Sequence, residues 1–472
     1  MSDKELLFQF ESKYPFLYEI TVGYVPVYTC IREHVLVRLK NPDSVKFQNG
    51  QNKKGKIYFT RILDGFLKFR SFRNKKTLVF TSAVYRRDKG RNLAAEWLMK
   101  EYPEVGVFEW PCRDESYDGT YMKDSERQFY CPMDWVLLVS KAYARVRRRK
   151  IRQYEQICRT TLLHLFDSSE LPEESERIAI EYILKVLPES YAQTKSYHDL
   201  FGIMFKNYKK VEHAIDFWGG ARENIIPILP TRPCSIELQH GIIMNFHTGY
   251  TYPKFVRDLH NPFFERKILV YGEGTKTNLC QNSIFEAEQV QVVGNPRIAL
   301  YKTIDTKNSN DKKLLLFTSE SFESDGRGTK YYVSIIKYLQ KVLQMICDDK
   351  FWNKYCLGIK LHPRESHEAR AFYERELPGV LVFDGSAQLY DLMKQSFLQI
   401  TVSSTTLYEA AEFGTPTITL LYNDFSVKEV YGFDVWQAVG EHELEELMSK
   451  LTNSKIYDEY LEYLSCETKK YM

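Results

Sequence analysis

LQITVSSTTLYEAAEFGTPTITLLY, residues 398–422, is the stretch whose reading decides the fold. Leu398 to Val402 is a short apolar run, the length of a strand buried on both faces. A polar knot, Ser403-Ser404-Thr405-Thr406, follows at once, and then a helical segment, Leu407 to Phe413, that stops at Gly414. Thr415-Pro416 opens a second β-branched run, Thr417 to Tyr422. The pattern predicts a β-turn-α-β unit with hydroxyl side chains where strand gives way to helix. A helix N-terminus presents unpaired N–H groups and the positive end of a dipole, so the knot is a natural seat for a phosphate. Ser404 or Thr405 acting only as a helix cap fits the same residues.

Lys360-Leu361-His362-Pro363 lies about one βαβ unit earlier. Gly358 to Leu361 is another short strand, and Pro363 ends it because proline cannot continue a ladder. His362 therefore stands at the carboxyl end of a strand, the edge where open α/β sheets bind ligands. Either tip alone is weak evidence. Their order along the chain, strand end after strand end, is stronger.

At 472 residues the chain exceeds one ordinary core, so two domains of roughly 200 residues are expected. Hydrophobic residues make up 44% and charged residues 27%, the balance of a globular protein. A net charge of +3 excludes reading the whole chain as a polyanion binder. Nine cysteines are scattered without a CxxC pair, the usage of a reducing compartment with no metal framework. The first residues are charged and no apolar run reaches ~18 residues, so neither a signal peptide nor a spanning helix is expected. The expected location is cytoplasmic.

Outward from the deciding stretch, the second half alternates regularly. Strands are predicted at Lys267–Tyr271, Val290–Val293, Lys313–Phe317, Gly358–Leu361, Val380–Phe383, Leu398–Val402 and Thr417–Leu421. Polar ends follow several of them: Gly294-Asn295-Pro296-Arg297, then Thr318-Ser319-Glu320. The first half has strands at Thr77–Thr81 and Val105–Trp110 around a helix from Asn92 to Tyr102, a βαβ beginning. Residues 112–132 read as a polar loop, and Trp135 to about Tyr208 as largely helical. Within that helical stretch lies Arg145, Arg147, Arg148, Arg149, Lys150 and Arg152. These form a solvated helix face, or a contact with an acidic membrane surface or a polyanionic acceptor, since clustered cations concentrate anions. They lack the interleaved aromatic platform of a single-stranded nucleic acid site, so no nucleic acid partner is expected.

Cys234 to Leu238 is a strand breaking into Gln239-His240-Gly241 and the loop Ile242 to Pro253. Glu237, Gln239, His240, His247 and Tyr250 gather on it, and catalytic bases favour such strand-end loops. The spacing fits no zinc pattern. Asp258 to Arg266, with Asn261-Pro262, reads as the domain linker. Three parts are expected: 1–262, a Rossmann-like acceptor-side domain with a helical insertion; 263–430, a Rossmann-like donor domain; and 431–472, a helical tail.

Glu237-Leu-Gln-His-Gly241, Gly294-Asn-Pro296, Lys360-Leu-His-Pro363 and Ser403-Ser-Thr-Thr406 with Glu409 together resemble the GT-B glycosyltransferases of bacterial surface-polysaccharide synthesis. The His-Pro and Ser-Ser pairing is similar to bacterial sialyltransferases and to the polyglycerol-phosphate polymerases of teichoic acid synthesis. The resemblance covers about 230–425. It implies an α/β GT-B-like fold, two Rossmann-type domains facing across a cleft, and a metal-independent glycosyltransferase with no cofactor beyond a nucleotide sugar. The implied donor is CMP-linked, such as a sialic acid, and the implied acceptor is an oligo- or polysaccharide or a lipid-linked chain. The acidic pair followed by glycine of the sialyltransferases is absent here, whereas His240-Gly241 matches the histidine-glycine of the teichoic acid enzymes. On this reading His240 is the base with Glu237 beside it, and Gln239, His247 and Tyr250 line the acceptor side. The donor nucleotide and phosphate fall to His362, Pro363, Ser403, Ser404, Thr405, Thr318, Ser319 and Asn295, and Lys360 adds charge near the phosphate or is only a strand-edge lysine. Glu409 binds a ribose hydroxyl or is an ordinary helix surface residue. A polyol-phosphate transferase and a nucleotide-sugar epimerase are the alternatives on this fold.

Overall fold

The computed structural model describes residues 2–40, 59–85, 91–111, 128–169, 172–217, 220–241, 243, 246–304, 313–320, 330–362, 365, 367–384, 387–421 and 431–472. A small hairpin, β1 (Thr21–Val22) with β2 (Val25–Pro26), precedes two large sheets. The first sheet holds β3 (Thr77–Ser82), β4 (Val105–Trp110), β5 (Tyr130–Pro132), β6 (His213–Asp216), β7 (Cys234–Leu238), β8 (Lys267–Val270) and β9 (Val290–Val292). Its spatial order is β5-β4-β3-β6-β7-β8-β9. The second holds β10 (Leu314–Thr318), β11 (Cys356–Lys360), β12 (Leu381–Phe383), β13 (Ser396–Thr401), β14 (Thr417–Leu420) and β15 (Gln437–Ala438), in the order β12-β11-β10-β13-β14-β15. All pairings in both sheets are parallel. Each sheet starts in its middle, winds to one edge and returns to the other side, the doubly wound order of a Rossmann-type unit. The protein is therefore α/β, with two such units facing across a cleft.

The apolar runs become strands because both faces are covered. Every residue of β10, Leu-Leu-Leu-Phe-Thr, is buried. The Lys330–Asp348 helix lays Ile335, Leu339 and Val342 onto that sheet, in one cluster with Leu315, Phe317, Leu357, Ile359 and Ile400. Beneath the first sheet, the N-terminal segment contributes Leu7, Phe10, Tyr18 and Tyr28 to a cluster with Ile268, Val270 and Val290.

The change of sheet comes later than the sequence pattern suggests. β8 and β9 pair into the first sheet through Glu237–Ile268 and Ile268–Val290 neighbours. Residues 258–266 are thus a turn inside the first unit and no linker: Phe263 and Phe264 are buried in its core. The chain passes to the second sheet between β9 and β10. Two strands of the first sheet also lie where none is predicted, β5 in the stretch read as a loop and β6 after the long helices.

Nor is the last segment a simple tail. β15 extends the second sheet, and the Ser454–Lys469 helix buries Tyr460 and Leu464 in that unit's core. Its end then meets the first unit, where the Gly274 N–H donates to the Lys470 carbonyl. Gly272 makes this approach possible, because a Cβ there would stand 2.3 Å from the Lys470 carbonyl oxygen. A second seam joins the units where Leu93 packs with Ile298, Tyr301, Leu314 and Tyr390.

Candidate active site

The carboxyl ends of both sheets converge on one cavity, about 1020 Å³ with its open mouth included. The first unit supplies His240 and Gly241 after β7, Tyr271 after β8, and Asn295 and Arg297 after β9. The second supplies Thr318 and Ser319 after β10, Lys360 to His362 around the end of β11, Ala387 to Leu389 after β12, and Ser404 to Thr406 with Glu409 after β13. β10 and β13 are the neighbours between which the strand order of the second sheet reverses, where a crevice opens in such folds.

Buried Gln399 of β13 organises the hydroxyl wall. Its amide nitrogen donates to Thr318 Oγ1 at 2.9 Å and to Thr406 Oγ1 at 2.6 Å, and its oxygen accepts from Thr417 Oγ1 at 2.8 Å. Thr406 Oγ1 in turn donates to Ser404 Oγ at 3.0 Å, and Ser404 Oγ also receives the Thr406 N–H at 3.3 Å. Thr405 makes no side-chain cap and is exposed at the cavity. Ser404 therefore carries a cap-like bond while Thr405 is left to the cleft. The Thr406–Glu412 helix has only 7 residues, too short for a full macrodipole, so hydroxyls rather than a helix end furnish this wall. Ser403 turns the other way, its Oγ donating to Glu320 Oε2 at 2.7 Å.

The same cavity holds a cation. Lys360 is buried, its ammonium donating to the Leu361 carbonyl at 3.1 Å and the Asp384 carbonyl at 2.7 Å. It lines the cavity and is no solvent-facing edge lysine. The next turn is fixed by Glu365, which the sequence reading passed over. Glu365 Oε2 accepts the His362 N–H at 2.6 Å, while Oε1 accepts from Ser319 Oγ at 2.9 Å and Tyr332 OH at 3.1 Å. Burial pushes the Glu365 carboxyl up to about 7, against the downward pull of these donors and of Lys360. His362 thus sits on a turn tied to a buried carboxyl. Pro363 lies outside the described residues.

On the facing unit, His240 lines the cavity at the end of β7. Burial pushes its imidazole down to about 4, with Glu237 pulling weakly upward and His247 and Arg222 adding to the fall. A neutral imidazole at pH 7 can accept a proton. Glu237 cannot share that task, because both its oxygens are engaged. Oε2 receives Arg222 at 2.9 Å and Arg266 at 2.6 Å, and Oε1 receives Tyr250 OH at 2.7 Å. Burial alone would raise its carboxyl, yet Arg222 and Arg266 outweigh it and hold it at about 2.

Three residues expected on the acceptor side are not among those lining the cavity. Gln239 is fully buried, bridging the Tyr271 N–H and the Gly241 carbonyl. Tyr250 is spent on Glu237, and His247 Nδ1 accepts the Gly249 N–H at 3.0 Å inside its own loop. That loop is anchored by Arg32, whose guanidinium pairs with buried Glu11 and donates to the Thr248 and Thr251 carbonyls at 2.6 Å each. These residues build the wall behind His240. The cavity does gather His240, His362, Lys360, Thr318, Ser319, Ser404, Thr405, Glu409 and Asn295. Asn295 has a structural duty besides, its side chain accepting the Arg297 N–H at 3.1 Å at the start of the next helix.

Arg297 and Tyr271 are further lining residues. Arg297 stands 3.6 Å from Glu409 and over the Tyr390 ring, and Tyr390 OH donates to Glu409 at 2.7 Å. Glu409 therefore belongs to the wall and to the contact between units, and is no plain surface residue. A cation directly after the Gly-Asn-Pro strand end was the available signal for Arg297.

No family model and no curated protein matches this sequence. Among solved structures, the wall teichoic acid polymerase TagF is 14% identical, with 93% of this chain and 92% of that chain covered, at a TM-score of 0.44. A UDP-GlcNAc 2-epimerase from Neisseria meningitidis bound to UDP-GlcNAc is 12% identical, covering 83% and 97%, at 0.45. A putative UDP-N-acetylglucosamine 2-epimerase from Listeria monocytogenes is 14% identical, covering 84% and 93%, at 0.47. Likeness at this level assigns no activity.

Proposed function

We propose that the chain is a metal-independent glycosyltransferase that moves a sugar from a nucleotide-activated donor, CMP-linked in the first instance, to a saccharide or lipid-linked acceptor. The observation that carries this reading is the single cavity in which His240 of one unit faces His362, Lys360, Ser404 and Thr405 of the other. The donor phosphate would lie among those four side chains of the second unit. As the bond from the sugar's anomeric carbon to the phosphate oxygen breaks, negative charge grows on that oxygen. Preorganised hydroxyl, imidazole and ammonium donors stabilise it in place of a divalent cation. The acceptor hydroxyl attacks the anomeric carbon and passes its proton to His240, so the new glycosidic bond replaces the one lost. The protein would work in the cytoplasm, at the inner face of the cell membrane where acceptor chains are made. Among the described residues, no helix is long and apolar enough to cross a membrane.

The test is to incubate the pure protein with labelled CMP-, UDP- and GDP-sugars and CDP-polyols, each with and without oligosaccharide acceptors and with EDTA. Acceptor-dependent transfer that survives EDTA is expected. Interconversion of the free nucleotide sugar without acceptor would make the chain an epimerase, and activity lost in EDTA and restored by Mg²⁺ would contradict metal independence.

A further inference from the structure

Outside the cleft, exposed apolar side chains among the described residues gather on two helices at the β5 edge of the first sheet. In the Phe59–Ser71 helix, Leu63, Phe66 and Leu67 share one face at i, i+3, i+4 spacing and are 53%, 63% and 61% exposed. The opposite face is locked. Arg61 is buried against Glu109 and Asp134, and a Cβ on Gly65 would stand 2.1 Å from the Pro132 carbonyl oxygen. The ridge is therefore held outward by a pinned helix. Phe66 meets Trp135 edge-on at 5.8 Å, which joins it to the Asp134–Val146 helix. There Leu138 and Val139 are exposed, and Val146, two turns beyond Val139, is 84% exposed. Cations follow directly: from Trp135 to Tyr154 the chain has seven Lys and Arg and no Asp or Glu. Arg145 and Arg147 to Lys150 are all exposed at the junction with the Arg148–Asp167 helix.

We propose that this ridge and the arginine-rich turn dock the protein on an anionic lipid bilayer. Apolar side chains beside a block of cations match the bilayer interface, where rings and aliphatic groups enter the acyl boundary and guanidinium groups meet phosphates. A nucleic acid would use the arginines and leave the ridge in water. The docking stands on this surface alone. Its consequence for the acceptor rests on the transferase reading. The Asp134–Val146 helix starts at the carboxyl end of β5, the same sheet edge from which His240 leaves β7, four strand spacings or ~19 Å across. A lipid-linked acceptor would then be presented near the cleft.

The experiment is co-sedimentation of the full chain with phosphatidylcholine vesicles, with and without about 30 mol% phosphatidylglycerol. Binding only to the anionic vesicles, weakening as salt rises, is expected. R147E/R148E/R149E should lower the partition by ~100-fold, and F66E/L67E by at least ~10-fold, each with an unchanged melting curve. No binding by the native chain, or binding that neither variant weakens, overturns the proposal. So does a dimer in the ultracentrifuge that F66E/L67E dissolves, which would give the ridge to a second copy. Failed sedimentation with intact transfer removes the docking alone, and the converse removes the transferase reading alone.

Discussion

At the scale of the residue, the cleft divides into groups that face ligand and groups that hold them. His362 belongs to the first kind. His362→Ala should lower turnover by about 10²-fold or more, the scale for one preorganised transition-state donor, without altering the melting curve. A folded variant with near-native turnover would remove His362 from the phosphate site. Glu237 belongs to the second kind. Glu237→Gln leaves buried Arg266 facing a neutral amide, while Arg222 keeps Glu223, a loss of roughly 3 kcal/mol. Urea unfolding should show it as a lowered midpoint, whereas an unchanged midpoint would mean the pair contributes little. His240 is neutral down to about pH 4. The acid limb of the kcat/KM profile, which reports the free protein, should therefore lie nearer 4 than the usual histidine range, and a limb at about 6.5 would contradict this. The sequence made these tips visible as polar residues at strand ends. It could not separate ligand-facing from wall-building ones, because Gln239 and Tyr250 differ from His240 only in what the fold puts beside them.

At the scale of the element, the turn from His362 to Glu365 carries its own pH dependence. Below pH ~4.5 the Glu365 carboxyl is protonated in both folded and unfolded chains. Between there and about 7 the unfolded chain ionises while the folded one stays protonated. Stability is thus full at low pH and is lost as pH rises through about 7, by something on the order of 2–3 kcal/mol. Urea midpoints of the native chain should fall between pH 5 and 8 by more than those of Glu365→Gln. Equal slopes would mean that the carboxyl titrates normally. Long or strongly apolar elements were legible from the chain: β3, β4, β10, β13 and the Leu93–Glu101 helix all lie within a few residues of their expected places. Short ones were not. β5 spans three residues and ends in proline, and β6, His213–Asp216, is only four. Their apolar content is too small to stand out, and neighbouring strands supply the burial that defines them. Gln399 and Glu365 escaped notice because their role exists only through partners up to 81 and 46 residues away.

At the scale of the whole molecule, two units are held around the cleft by the Leu93 seam and by the returning C-terminal helix. The sequence predicted the two units but misplaced the change between them, since β8 and β9 alternate with helices in the same rhythm as the strands that follow. Only hydrogen bonding assigns them to the first sheet. Gly272→Ala tests the strap. A methyl 2.3 Å from the Lys470 carbonyl oxygen must displace the chain end, so hydrogen exchange over the Ser454–Lys469 helix should accelerate while β10 and β13 stay protected. Unchanged exchange would show that the end yields without loosening. The central claim is that one cavity holds the donor phosphate on the second unit and the base on the first. The most direct measurement is calorimetric titration of the donor nucleotide identified by the turnover screen into the native chain, His240→Ala and His362→Ala. Equal affinity for the native chain and His240→Ala, with binding at least ~10-fold weaker for His362→Ala, is the result expected. Equal binding to all three, or binding lost only with His240, would contradict it.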